Sequence, residues 1–477
     1  MDLLKLFNNK KWTILFLFFI LVAFFTRFYM LDYRPLYHDE GVIWYYFEQK
    51  IIHGEPFYYA PSAHGFTPFY LTSIPLFFGD TVFNFRFVTA LFGSLIVAIL
   101  WLFRKIIGDR ATLILSFLIA VSPSLIYYSK FGGFAFMLIN FITLFMLYFG
   151  IKYYNTHQNK WLYAIFILFA LGITSHEIIL IPFLIFGISF IIHNIVKGDM
   201  SLFKGRNLIH LILAFCVCVL LIIFIMTNAF SNFDNLSKIT IDAFLSRTSE
   251  GNRGDLLYFI LIFLPIEFVG FVGVLLYLIF FKKDKLNLFF LFWCFGTILI
   301  LSVFPYKTPW MFTIALLPIF ILAGIGFDLF IKWCEKDKYK KIFCFFILGV
   351  FLISILFSNF IINYMFVNGK AEINPLNYSG PTDDFYRLLG DINKLSLDSN
   401  SKILFAFNSH WPLNYYLKDS IIYYLGSDPV EIDYDRNYQN YDLIIVGNQT
   451  LFDKNKFKEY GVYEFRENFF IKLLLQT

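Results

Sequence analysis

The sequence predicts a polytopic α-helical membrane protein that carries a small α/β domain at its C-terminal end. Three observations predict it. Apolar residues make up 58% of the chain, aromatic ones 22% and charged ones only 15%; with a mean hydropathy of +0.66, this lies well outside the range of soluble domains. Runs of about 20 apolar residues, each able to cross a hydrocarbon core of about 30 Å, recur until roughly residue 366 and then stop. Beyond about residue 370 the composition turns polar, with short alternating apolar runs.

The spans are expected near 12–31, 83–103, 111–128, 133–151, 161–175, 177–195, 208–230, 255–281, 286–304, 310–332 and 342–366, about eleven in all. The first follows Lys10 and Lys11 and lacks a small-residue cleavage pattern, so it is expected to remain as a signal anchor. HGFTPFYLTSIPLFFG at 64–79 is apolar but short and interrupted by Pro68 and Pro75. It is expected as an interfacial or re-entrant helix, with a twelfth span as the alternative. Residues 1–369 thus form the expected membrane domain, with the external loop 32–82, and residues 370–477 the external domain.

The balance of 39 Lys and Arg against 34 Asp and Glu bears on topology and not on nucleic acid, because the basic residues sit in short loops. With the N-terminus cytoplasmic, 19 basic residues fall in cytoplasmic segments and nine in the longer opposite loops before the tail. The N-terminus is therefore expected in the cytoplasm and the C-terminal domain outside the cell membrane. Cys216, Cys218, Cys294, Cys334 and Cys344 lie in or beside apolar spans, so no disulfide framework is expected.

This topology places five polar stations on one external face: Asp39-Glu40, His64-Gly65, YYSKFGG around Lys130, TSHE at 174–177 and FPYKTPW at 304–310. A shared external site is the expectation. Asp39 and Glu40 suit the start of a helix, where acids meet the positive dipole end; alternatively, Asp39 activates a hydroxyl or amide nucleophile, or the pair holds a divalent cation, Mg or Mn. No other cofactor is indicated. His64 is a structural hydrogen-bonder or a site residue. Lys130 is an interfacial anchor or a phosphate contact beside the bare backbone of Gly132-Gly133.

His176 and Glu177 sit between two apolar runs with almost no loop, which suggests that both face a polar cavity. Lys307 places another cation at the outer mouth, and Trp310 either stacks on a sugar ring or joins the interfacial belt. Glu267, near the middle of the 255–281 span and after Pro265, either pairs inside the bundle or lines a cavity.

In the tail, 402–407, 420–425, 441–447 and 462–473 read as strands, and 382–396 and 451–460 as helices. WPLNYYL at 411–417 is a carbohydrate platform or a packing surface. Asn235, Asn377 and Asn448 open N-x-S/T sequons.

The acid pair in the first external loop, the bundle and the external tail resemble the C-type glycosyltransferase superfamily, which includes the dolichyl-phosphate-mannose protein mannosyltransferases and the lipid A aminoarabinose transferase. YHDEG at 37–41, HGFTPFYLTSIPLFFG at 64–79, SPSLIYYSKF at 122–131, KTPW at 307–310, SGPTDDF at 379–385 and HWPLNYYLKD at 410–419 are similar to a prokaryotic, chiefly archaeal, family named for association with flippase activity. The chain departs from that pattern after Lys130, where no acid follows, and at Tyr306, where an acid often precedes KTPW.

The superfamily resemblance implies transfer of a sugar from a polyprenyl-phosphate-linked donor in the bilayer to a glycan, lipid or protein acceptor outside, with inversion at the anomeric carbon. Asp39 would then be the general base, with Glu40 orienting it. Lys130 or Lys307 would stabilise the departing phosphate, and His64, His176 and Glu177 would contact sugar or acceptor. The rival expectation is a non-catalytic flippase-associated or transport component for lipid-linked sugars.

Overall fold

The computed structural model describes residues 10–47, 65–197, 203–233, 255–281, 285–304, 307–365, 375–376, 383–406, 412–425, 431–432, 440–447, 450–466 and 469–476. His64, Trp411 and the sequon residues Asn235, Asn377 and Asn448 lie outside them. The chain divides into two compact units: Met1–Leu31 with Phe57–Asn363, and Asp32–Pro56 with Tyr364–Thr477. The second unit thus joins the start of the first external loop to the tail, across some 300 intervening residues.

The first unit is helical and defines a multi-pass membrane protein. Among the described residues, eight helices are long and apolar enough to cross a membrane. In chain order the helices of both units up to the tail are α1 Lys10–Phe28, α2 His38–Phe47 (second unit), α3 Phe66–Leu76, α4 Val82–Ile107, α5 Asp109–Val121, α6 Pro123–Tyr128, α7 Phe136–Thr156, α8 Asn159–Ile173, α9 Glu177–Lys197, α10 Gly205–Met226, α11 Tyr258–Ile266, α12 Phe268–Ile279, α13 Lys285–Val303, α14 Pro309–Cys334 and α15 Lys338–Asn363. Every expected span has a helix, but three differ from a simple crossing. The 111–128 segment breaks at Ser122, whose extended backbone (ψ 119°) is what a residue before proline adopts. The 161–175 segment holds only the 15 residues of α8. The 255–281 segment bends by 99° between α11 and α12, just past Pro265, which has no N–H to continue the helix. α3 has 11 residues, a length of about 16 Å that falls short of a crossing.

α14 is the centre of the bundle, 83% buried, whereas α10 and α15 bury only 11% and turn apolar side chains outward as a lipid-facing helix does. Close approach around α14 rests on small residues. A Cβ on Gly324 would lie 2.8 Å from the Ala111 carbonyl oxygen of α5, and one on Gly326 would strike the Gly273 carbonyl of α12. Gly326→Ala is therefore expected to destabilise the bundle by about 1–3 kcal/mol. Gly349→Ala, where a Cβ meets nothing within 4 Å, should be neutral or stabilising. Thermal unfolding of the detergent-solubilised variants checks the contrast.

The second unit carries a sheet. Strands β1 Lys402–Ala406, β2 Ile421–Tyr424, β3 Glu431–Ile432, β4 Leu443–Gly447, β5 Leu451–Phe452, β6 Phe457–Arg466 and β7 Phe469–Gln476 follow helix α16 Asp383–Lys394, with the single turn α17 Leu413–Tyr416 between β1 and β2. Five strands run in the order β2-β1-β4-β7-β6, while β3 and β5 pair separately. β1 is parallel to β2 and β4, and β7 antiparallel to β4 and β6. Phe385, Leu388 and Ile392 of α16 pack with Ile403, Phe405, Leu443 and Ile445 on one face of the sheet; Leu404, Ile444, Val446 and Leu474 pack with Phe457 on the other.

The expected helix at 451–460 is a strand–turn–strand instead. The Asp453 carboxylate accepts from the Asn455 N–H at 2.9 Å, and the Asp453 carbonyl from those of Lys456 (3.1 Å) and Phe457 (2.9 Å), closing a turn. Phe457 then enters register opposite Gln476, and its burial against the sheet overrides local propensity. The expected 462–473 strand is likewise two antiparallel strands, β6 and β7.

Asp391 of α16 accepts from Lys394 (2.6 Å) and the Tyr463 hydroxyl (2.8 Å), and these hold its carboxyl below the usual carboxylate range, Lys394 contributing most. A depressed folded value means stabilisation present above the unfolded pKa of about 3.9 and lost as pH falls through the folded one. Asp391→Asn should therefore flatten the acid limb of a stability–pH curve.

Candidate active site

The acid pair opens α2, and its two members do different things. Glu40, third in the helix, accepts the N–H of Tyr37, the residue before the helix, at 2.8 Å, which is the carboxylate half of a capping box. It also accepts from Arg34 Nη2 at 3.1 Å, and both side chains are buried, Glu40 completely. Asp39 is only half-buried, at the positive end of the helix dipole.

α2 rests on the tail. A Cβ on Gly41 would lie 2.6 Å from Pro412 Cα, so only glycine allows this approach. The Trp44 ring meets Tyr415 edge-on at 5.0 Å, Lys418 Nζ lies 4.4 Å from the Tyr415 ring centre, and the Leu36 N–H donates to the Tyr416 hydroxyl at 2.8 Å. The Gly of YHDEG and the Pro-to-Lys run of HWPLNYYLKD are thus two halves of one packing. The described part of the tail segment supports the acid-bearing helix.

In the first unit, the structure draws together parts of the other four stations. The Gly65 N–H donates to the Ser175 carbonyl (2.9 Å), the Thr67 N–H to that of Thr174 (3.1 Å), and the Thr67 and Thr174 hydroxyls bond at 2.7 Å. A Cβ on Gly65 would collide with the Thr174 carbonyl. The segment beside His64 is thereby tied to TSHE. His176 is buried against Phe136, ring centres 5.0 Å apart; Phe134 packs on Phe136 at 6.4 Å, on Phe131 at 5.4 Å and edge-on to Trp310 at 5.8 Å. This aromatic chain joins TSHE, the Lys130 segment and KTPW.

His176 Nδ1 accepts the Ile178 N–H at 3.1 Å and also lies 3.3 Å from Glu177 Oε2. One nitrogen cannot accept an N–H and present a proton to the carboxylate together, so Nδ1 serves either the Ile178 N–H or Glu177. Glu177, 41% exposed, stays accessible. Lys130 Nζ donates to the Tyr29 carbonyl at 2.8 Å, just past the end of α1. Lys307 is buried to 5% exposure and donates to the Phe304 carbonyl at 3.0 Å. Trp310 is equally buried, a wall of the aromatic cluster and not an exposed belt residue.

Among the described residues no group of three or more His, Cys, Asp or Glu is placed to hold a metal ion. Of the acid pair, Glu40 Oε2 is the atom that serves Arg34 and the Tyr37 N–H.

Comparison with known proteins agrees with this architecture. A family model described as dolichyl-phosphate-mannose-protein mannosyltransferase matches residues 64–228, the stretch that holds the His64, Lys130 and His176 stations. No curated protein sequence matches the chain. Among solved structures, ArnT from Cupriavidus metallidurans bound to undecaprenyl phosphate matches with a TM-score of 0.63 at 14% identity, covering 98% of both chains. The same ArnT in the apo state matches with a TM-score of 0.65 at 14% identity, covering 97% of this chain and 98% of that one. The chain therefore has an ArnT-like fold over 97–98% of its length.

Proposed function

We propose that the protein is a membrane glycosyltransferase that moves a sugar from a polyprenyl-phosphate-linked donor to an acceptor at the outer face, with inversion. The supporting observation is the fold likeness, over 98% of the chain, to a protein whose structure holds undecaprenyl phosphate. The mannosyltransferase family match over 64–228 supports the same reaction class.

In this reading Asp39 takes the proton from the acceptor hydroxyl or amide as it attacks the anomeric carbon. The bond from that carbon to the phosphate oxygen breaks, and its electron pair leaves with the polyprenyl phosphate. Lys130 or Lys307 stabilises the charge that grows on the phosphate. Glu40, through Tyr37 and Arg34, fixes the helix start that presents Asp39. His64, His176 and Glu177 contact sugar or acceptor, and Trp310 closes a wall. The positive-inside count supports a cytoplasmic N-terminus and an external second unit.

Reconstitution in vesicles with polyprenyl-phosphate sugars supplied in the external leaflet tests this proposal, scoring sugar transfer and lipid translocation separately. Transfer without translocation is the expected result. Translocation without transfer would replace it with the flippase-associated role.

A further inference from the structure

The break between α5 and α6 leaves backbone groups without helical partners, and side chains from three other elements supply them. Arg27 of α1, fully buried, donates through Nη2 to the Ile119 carbonyl at 2.9 Å and through Nη1 to that of Ala120 at 3.1 Å. Asn359 Nδ2 donates to the Val121 carbonyl at 2.8 Å and Asn363 Nδ2 to that of Pro123 at 3.2 Å. On the other side of the break, Glu267 Oε1 accepts from Ser122 Oγ at 2.7 Å and from the Ser124 N–H at 2.9 Å. A cation thus meets the carbonyl end of α5, and a carboxyl oxygen accepts from the first turn of α6.

A buried carboxylate inside a bundle is costly to keep, and satisfying two donors is a small return unless the geometry they fix matters. What they fix is α6. α6 ends at Tyr128, and Lys130 follows in the turn, its N–H on the Tyr127 carbonyl at 3.1 Å and its ammonium on the Tyr29 carbonyl, two residues past Arg27. The break and the cation are therefore parts of one closed frame with the end of α1.

We propose that Glu267 is a positioning residue for donor binding: by holding Ser122 and Ser124 at the break, it sets α6 so that Lys130 meets the lipid-linked phosphate. This rests on the glycosyltransferase proposal above and deepens it.

The test is binding of undecaprenyl phosphate to the purified full-length protein, measured by native mass spectrometry or radioligand titration. Lys130→Ala and Glu267→Ala are each expected to weaken binding by about tenfold, and Glu267→Gln, whose amide oxygen still accepts both donors, by less than about threefold. The double variant Lys130→Ala/Glu267→Ala should bind within about twofold of Lys130→Ala, because the two act through one contact. Losses that multiply, wild-type affinity in Glu267→Ala, or wild-type affinity in Lys130→Ala would each overturn the positioning role and leave the donor assignment standing. Absence of binding by wild type would remove the donor assignment and the inference with it. If Glu267→Ala fails to fold, Ser122→Ala removes one of the two donors from the opposite side. It is expected to weaken binding by about threefold, again without further loss in the Lys130→Ala background; wild-type affinity there overturns the role.

Discussion

Asp39→Asn is expected to lower sugar transfer by about a hundred- to ten-thousand-fold, the usual contribution of a positioned general base, with a much smaller loss of thermal stability than Glu40→Ala brings. The amide keeps the shape of the carboxylate and part of its fit to the helix start, but it accepts no proton at neutral pH. Donor binding should survive, because the proposed phosphate contact is Lys130 or Lys307. A variant that loses donor binding and transfer together would assign Asp39 to substrate binding and not to proton transfer.

Glu40→Ala is expected to fail for a different reason. It removes the partner of the Tyr37 N–H and leaves the Arg34 guanidinium buried without this carboxylate. Breaking a buried ion pair from one side costs about 3–5 kcal/mol, a large share of a domain's net stability. The second unit should unfold at lower temperature and activity should fall with it. Glu40→Gln retains a side-chain oxygen for the Tyr37 N–H and should recover part of both. Thermal unfolding followed beside transfer separates the neighbours: Asp39→Asn changes chiefly rate, Glu40→Ala changes both.

The resemblance already set Asp39 apart as base and Glu40 as its orienting neighbour. That Glu40 is the buried acid, paired with Arg34, is not visible in a pattern of spacing. What the sequence did show was the position of polar groups at the ends of apolar runs. Lys130, His176 and Lys307 could be singled out because each interrupts a segment otherwise fit for hydrocarbon, and the structure brings their segments together through Phe131, Phe134, Phe136 and Trp310. The contact of Gly41 with Pro412 spans more than 370 residues. Both motifs could be noticed, but nothing local says that they touch.

The helices show the same division. Apolar length placed a helix in every expected segment, eight of them long enough to cross among the described residues, yet hydropathy does not see the Ser122-Pro123 break or the 99° bend at Glu267. These depend on single residues whose partners lie far along the chain, Ser122 and Ser124 for Glu267. In the tail, 451–460 carries a charge pattern acceptable to a helix, and only pairing with β7 makes it a turn and a strand.

The most direct test of the central claim is mass-spectrometric detection of free polyprenyl phosphate after purified wild-type protein is incubated in lipid with a panel of polyprenyl-phosphate sugars and candidate acceptors. Release from at least one donor, dependent on an acceptor and lost in Asp39→Asn, is the expected result. No release from any donor by folded protein, or release undiminished in Asp39→Asn, would contradict it.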